Sequence, residues 1–184
     1  MRAVKGNRII RPGRESAAAF VARRIRELEP SELGPEFLGK DLGALVPIPR
    51  SGLLKPGALW PGLEIANALQ HEGFGRVATC LSRRSAVSKA ATSPGNRPKA
   101  KDHFDSLSLD SVELPSKITL VDDIITRGAQ LFGAAWRIWA EHPDVEILGF
   151  AVIRTISSPE RFESLVAPCV GRIEWKHDEC FRVP

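Results

Sequence analysis

Cysteine is scarce in this chain of 184 residues: there are three, Cys80, Cys169 and Cys180, and no CxxC pair. An odd count without paired spacing argues against a disulfide framework and against a structural zinc site. The expectation is three thiols in a reducing compartment. No apolar run approaches the ~20 residues that span a bilayer. The N-terminal stretch MRAVKGNRIIRPGRES is basic but lacks the apolar core of a secretory leader. A soluble cytoplasmic protein with no membrane segment is therefore expected. There is no internal repeat, no G-x-S-x-G elbow and no Walker A pattern, which argues against repeat architectures, α/β-hydrolase chemistry and P-loop chemistry. Acidic residues are missing from one long stretch. Between Arg76 and Lys101 every Asp or Glu is absent, while the basic residues include Arg83, Arg84 and Lys89.

What is present suits one packed domain over residues 1–184. Apolar residues make up 43% of the chain, enough for a real core. Ser16–Leu28 has helical periodicity through Ala18, Val21, Ile25 and Leu28, with Ser16 as N-cap. After a turn-rich stretch, ALVPIP reads as a strand, and Leu63–Gln70 as a helix stopped near Gly73. Arg76–Leu81 reads as a second strand, and Ser82–Asp105 as a long mobile loop. Lys117–Val121 and Glu146–Ile153 read as further strands, flanking a helix over Ala129–Glu141 that Pro143 ends. Trp136 and Trp139 lie at i, i+3 on that helix and are expected in the core. His103 and His177 stand alone and carry no expected catalytic role. The alternation of strands and helices predicts an α/β fold with an open, mostly parallel sheet flanked by helices. Such sheets bind ligands beyond the carboxyl ends of their strands.

Two loops at strand ends carry chemistry. In ITLVDDIITRGAQ, residues 118–130, an apolar strand runs into adjacent carboxylates and a Thr-Arg-Gly turn before a helix. Thr126, Arg127 and Gly128 place backbone N–H groups at a helix N-terminus, where the dipole favours phosphate. Asp122 and Asp123 point to opposite faces of the strand and are acceptors for sugar hydroxyls or a hydrated metal ion. A phosphate cradle beside two carboxylates suits a ribose 5-phosphate. In VPIPRSG, residues 46–52, Arg50 supplies a fork of donors, and Ser51 and Gly52 let backbone N–H groups face oxygens.

These segments resemble the type I phosphoribosyltransferase family. ITLVDDIITRGAQ is similar to its signature for phosphoribosyl pyrophosphate (PRPP), and VPIPRSG resembles its pyrophosphate loop. The resemblance covers about residues 45–155. It implies that Asp122 and Asp123 hold the ribose with Mg²⁺ nearby, that residues 126–130 hold the 5-phosphate, and that Arg50, Ser51 and Gly52 hold pyrophosphate. Arg50, Asp122 and Asp123 would then be the catalytic residues. Arg83, Arg84 and Lys89 would belong to a flexible loop that closes over PRPP. The N-terminal helix and C-terminal tail would form a small variable hood. Many members have Thr at the position of Gln130, and some purine-salvage members have an acidic residue at the position of Thr126. GNRPKAKDHF is loosely similar to the ComF branch, although the CxxC segment of many ComF proteins is missing.

The implied activity is transfer of the 5-phosphoribosyl group from PRPP to an unidentified nucleophile with release of pyrophosphate, using Mg²⁺, within nucleotide metabolism. The expected partners are PRPP and a small-molecule acceptor, and a homodimer is compatible with the family. The alternative is a non-catalytic regulatory protein of the same fold that senses nucleotides or binds nucleic acid through the basic stretch 76–101. No aromatic residue interleaves with those basic side chains, so stacking platforms for single strands are missing there.

Overall fold

Val46, Ile118, Leu120 and Val121 are almost wholly shielded from solvent, as expected of central strands covered on both faces. In a computed structural model, which describes residues 9–11, 15–28, 43–88, 97–156 and 167–183, they lie on β3 (Ala44–Pro47) and β7 (Lys117–Ile125). β4 (Arg76–Val77) and β8 (Glu146–Arg154) flank them, giving a four-stranded sheet of order β4-β3-β7-β8. All three pairings are parallel, with Ala44 opposite Ile118 and Lys117 opposite Glu146. The fold is α/β: helices flank this sheet, and three small antiparallel sheets lie around it, the first formed by β1 (Ile9–Arg11) and β2 (Glu15–Ser16).

Alternation along the strands sorts the helices. Leu45 and Val121 join Ile65, Ala66 and Leu69 of α2 (Pro61–His71), with Ala18 and Ala22 of α1 (Ala17–Arg26) beyond. Ala44, Val46, Ile118 and Leu120 instead meet Leu131, Ala134 and Ile138 of α4 (Ala129–Trp139). Ser16 does cap α1, its Oγ accepting from the Ala19 N–H at 3.2 Å, and the last turn carries Arg23, Arg24 and Arg26 toward the negative helix end. α2 begins with Pro61, whose missing N–H costs nothing in a first turn.

From β3 the chain passes through α2 to β4 on one side; it later enters β7 on the other side of β3. Strand order therefore reverses between β3 and β7, the place where open α/β sheets leave a crevice at their carboxyl ends. A Cβ on Gly62 would stand 2.9 Å from the Val121 carbonyl oxygen and 3.2 Å from that of Ile48. Glycine thus lets the start of α2 sit directly on the strand ends that floor the crevice.

Several elements differ from expectation. Arg76–Leu81 is not one strand. Arg76 and Val77 pair with β3, and β5 (Leu81–Arg83) pairs antiparallel with β6 (Leu107–Leu109) in a separate ribbon. Cys80 and Leu81 are both buried, which a continuing strand with one solvated face cannot arrange. The expected loop at 82–105 contains the end of β5 and most of α3 (Ala100–Ser106). That helix buries Ala100, His103 and Ser106, a face too small and polar to show as hydrophobic periodicity. Its start is fixed by Asp102, whose Oδ2 accepts from the Lys99 N–H at 2.7 Å. Lys89 lies outside the described residues, as does most of the turn-rich stretch before Gly43.

β7 runs four residues past the expected end at Val121. β3 stops at Pro47, opposite Val121, whereas β8 continues to pair out to Ile125, opposite Arg154. Asp122 and Asp123 therefore stand within a strand, on a ledge that overhangs β3. The C-terminal tail forms a hairpin, β9 (Arg172–Lys176) and β10 (Glu179–Val183). His177 and Asp178 turn it with φ of 50° and 61°, the left-handed pair of a tight hairpin turn. Trp136 packs between Phe104 and Trp175, with ring centroids 4.5 and 5.5 Å away. Trp139 is 56% exposed, against the expectation that it is core. No helix among the described residues is long and apolar enough to cross a membrane.

Candidate functional site

A cleft of about 990 Å³ opens at the carboxyl ends of β3 and β7. Its walls include Arg50 and Ser51 after β3, Trp60 and Gly62 at the start of α2, and the continuous run Asp122–Leu131. Arg97, Lys99 and His103 contribute from the segment before and within α3, and Asp178, Glu179 and Cys180 from the C-terminal hairpin. The two loops singled out in the sequence thus meet across one cavity. Gly52, Arg83 and Arg84 are not among its walls.

The paired carboxylates have separate surroundings. Asp122 is only 6% exposed. Its Oδ1 accepts from the Asp123 main-chain N–H at 2.9 Å, and its Oδ2 from Gln130 Nε2 at 3.2 Å. Asp123 is half-buried on the opposite face of the ledge. The Gln130 side chain commits one of its two amide N–H donors to Asp122. Sequence reasoning placed it in the phosphate turn without seeing that contact.

β7 ends at Ile125, and the exposed Thr126 and Arg127 lead to Gly128. Gly128 has φ of 94°, and its carbonyl accepts the Phe132 N–H at 2.8 Å, opening α4. A Cβ there would come 2.7 Å from Ile173 of the hairpin, so both the backbone angle and the space call for glycine. No side chain caps α4 and its first turn holds no acidic residue. The positive end of the helix therefore meets the cleft without a neutralising carboxylate on its own first turn.

The hairpin is fastened beside this turn. Arg182 donates to the carbonyls of Ile125 and Thr155. Arg127 Nη1 meets Glu179 Oε2 at 3.2 Å, with both side chains well exposed. The hairpin thus forms one side of the cleft through Asp178, Glu179 and Cys180. α1 packs on α2, and none of its described residues lines the cleft.

On the other wall, Arg50 Nη1 donates to the Leu59 carbonyl at 3.0 Å, and Trp60 Nε1 to the Ile48 carbonyl at 2.7 Å. The Val87 N–H donates to the Ser51 carbonyl at 2.7 Å, tying the segment after β5 to this loop. Arg83 does not sit in a mobile loop as expected. It lies on β5 beneath the 49–51 turn, and burial pushes its guanidinium down to about 10, opposed by the charge of Asp122. It is still cationic at neutral pH. Arg84 is drawn away to the end of α3, donating to the Asp105 carbonyl at 3.0 Å. Arg97 and Lys99, from the acid-free stretch, are exposed on the cleft wall.

Two further groups were not foreseen as site residues. His103 is 6% exposed, and burial, with the Arg83 charge second, pushes its imidazole down to about 4. It is neutral at pH 7, and its Nδ1 is buried without a hydrogen-bond partner. Cys180 is buried, which raises its thiol to about 11, so it is not a thiolate nucleophile at neutral pH. A lone His and a lone Cys carry no spacing signal, and only the fold brings them to the cleft.

Among the described residues no three His, Cys, Asp or Glu converge to cage a metal ion. Of the two adjacent carboxylates on the cleft wall, Asp123 is the more exposed to solvent. No protein-family model matches this chain, and no curated protein matches its sequence.

Proposed function

We propose that the cleft binds PRPP with Mg²⁺ and that the protein is a type I phosphoribosyltransferase, transferring the 5-phosphoribosyl group to a small-molecule nucleophile and releasing pyrophosphate. One observation carries this reading. Arg50 and Ser51 of one loop and the 126–130 turn, far apart in sequence, line one cleft at the switch point together with Asp122 and Asp123. The ComF-like branch is the assignment within the family that the GNRPKAKDHF segment favours.

The roles follow from position. The uncapped start of α4, with Thr126 and Arg127, anchors the 5-phosphate. Asp123 takes a ribose hydroxyl, and Asp122 orients the ledge that carries it. Arg50 and the backbone donors of its loop offset the charge that grows on pyrophosphate as the bond at ribose C1 breaks through an oxocarbenium-like state. Asp123 would hold Mg²⁺ through water, and the ion would supply Lewis-acid neutralisation of that leaving group when bound. Anchoring the distant phosphate positions C1 for attack. The cavity lies at the upper end of the ~300–1,000 Å³ common for small-molecule sites, room for a second ligand beside PRPP. Arg97 and Lys99 lining this same cleft favours a small polyanion over the alternative of a nucleic-acid surface.

Isothermal titration of PRPP with Mg²⁺ tests the reading. Saturable binding below millimolar ligand, accompanied by pyrophosphate release once the acceptor is supplied, is expected. A folded sample that gives no heat at millimolar PRPP would sink it.

A further inference from the structure

Arg83 contributes nothing to the cleft wall, yet two of its three donor groups converge on the loop that does. Nε donates to the Arg50 carbonyl at 2.8 Å and Nη2 to the Pro49 carbonyl at 3.3 Å. Nη1 donates to Ser106 Oγ, whose hydroxyl in turn donates to the His103 carbonyl at 2.8 Å. One planar fork thus holds two successive main-chain carbonyls of the 49–51 turn and locks onto the end of α3.

The geometry of the peptide unit gives this clamp a direction. No described peptide bond is cis, and in a trans peptide the C=O and the following N–H point opposite ways. The Pro49 carbonyl shares its plane with the Arg50 N–H, and the Arg50 carbonyl with the Ser51 N–H. With both carbonyls drawn down to Arg83, both N–H groups are sent the other way. Arg50 and Ser51 line the cleft. Two consecutive N–H groups on one side of a turn form an anion-binding concavity.

We propose that Arg83 is a positioning residue, which aims the Arg50 and Ser51 amides at the pyrophosphate group of the substrate. The inference rests on the phosphoribosyltransferase reading above and goes beyond it in giving the loop's donor array a cause outside the loop. Lysine cannot replace it. A single ammonium lacks the fixed fork that reaches both carbonyls and Ser106 together.

The test uses Arg83→Lys in the full chain, with two probes titrated separately: pyrophosphate with Mg²⁺, and ribose 5-phosphate. Pyrophosphate affinity is expected to fall about tenfold or more, the loss of one or two hydrogen bonds to a charged group. Ribose 5-phosphate affinity is expected to stay within about twofold, since its turn is held elsewhere. Hydrogen exchange of the unliganded variant should quicken in the peptide covering 46–54 and stay unchanged across β7. If Arg83→Lys fails to fold, Ser106→Ala, which removes only the third acceptor, should shift pyrophosphate affinity the same way by a smaller factor. Equal losses for the two probes, or no loss in either, overturn the role of Arg83 alone. A wild-type protein that takes up neither probe overturns the phosphoribosyl reading and the pyrophosphate role with it. Exchange would still show whether the clamp exists.

Discussion

Gln130 donates from Nε2 to Oδ2 of Asp122 at 3.2 Å, while Asp122 Oδ1 holds the main-chain N–H of Asp123 at 2.9 Å. The adjacent carboxylates therefore do different work. Both line the cleft, but Asp122 is buried and braces β7 against α4, whereas Asp123 is the more exposed of the two.

Substitutions should separate them. Asp123→Asn should leave stability within about 0.5 kcal/mol and weaken PRPP binding. Asp122→Asn replaces one acceptor by a donor at a buried site and should cost about 1–3 kcal/mol of folding stability. Urea melts paired with PRPP titration read both quantities. Equal stability losses in the two variants would contradict the division.

Acid should weaken the fold through His103. Its imidazole sits at about 4 in the folded protein, against 6.5 ordinarily. As pH falls through 6.5 the unfolded chain gains a proton that the folded chain refuses until about pH 4. The stability tied to neutral His103 is thus full above the higher value and is lost between the two. The loss is on the order of 2 kcal/mol between pH 7.5 and 5. The groups that face it are Arg83, which opposes protonation, and Asp102, which favours it. His103→Met should flatten the urea midpoint against pH, and an unchanged slope would remove His103 as the cause.

The Arg127–Glu179 contact sets a small competition at the phosphate turn. Both side chains are about half exposed, so the pair contributes about 0–1 kcal/mol and fades with salt. Glu179→Gln should release Arg127 and tighten ribose 5-phosphate binding by about two- to fivefold at low ionic strength. The gain should vanish near 0.5 M salt, with no change in melting temperature. Weaker binding would mean that Glu179 instead helps to build the phosphate site.

Much of the frame was legible because it obeys simple periods. Apolar runs of strand length at 44–49, 117–121 and 146–153, separated by α2 and α4, announce a parallel sheet, and the Asp-Asp and Arg-Ser-Gly loops fall at its carboxyl edge. What stayed hidden depends on distant partners. α3 escaped because Ala100, His103 and Ser106, not large apolar residues, form its buried face. The length of β7 escaped because β8, not β7's own composition, carries it to Ile125. The hairpin escaped because His177–Asp178 is no common turn pair, so its placing of Glu179 and Cys180 beside the cleft could not be read. Arg83 was visible only as one cation in a basic stretch. Its role depends on carbonyls more than thirty residues away.

The overhang of β7 has a cost that Asp122 meets. The Ile48 N–H takes the Val121 carbonyl at 2.9 Å, and there the pairing with the β3 segment stops. A strand that outruns its neighbour leaves main-chain donors without the acceptors a longer neighbour would bring. Asp122 turns its carboxylate onto the next N–H of its own strand and so acts as a substitute for the missing length of β3. Seen this way, the first aspartate is what allows the sheet to be cut short, and the notch left by that cut is the cleft.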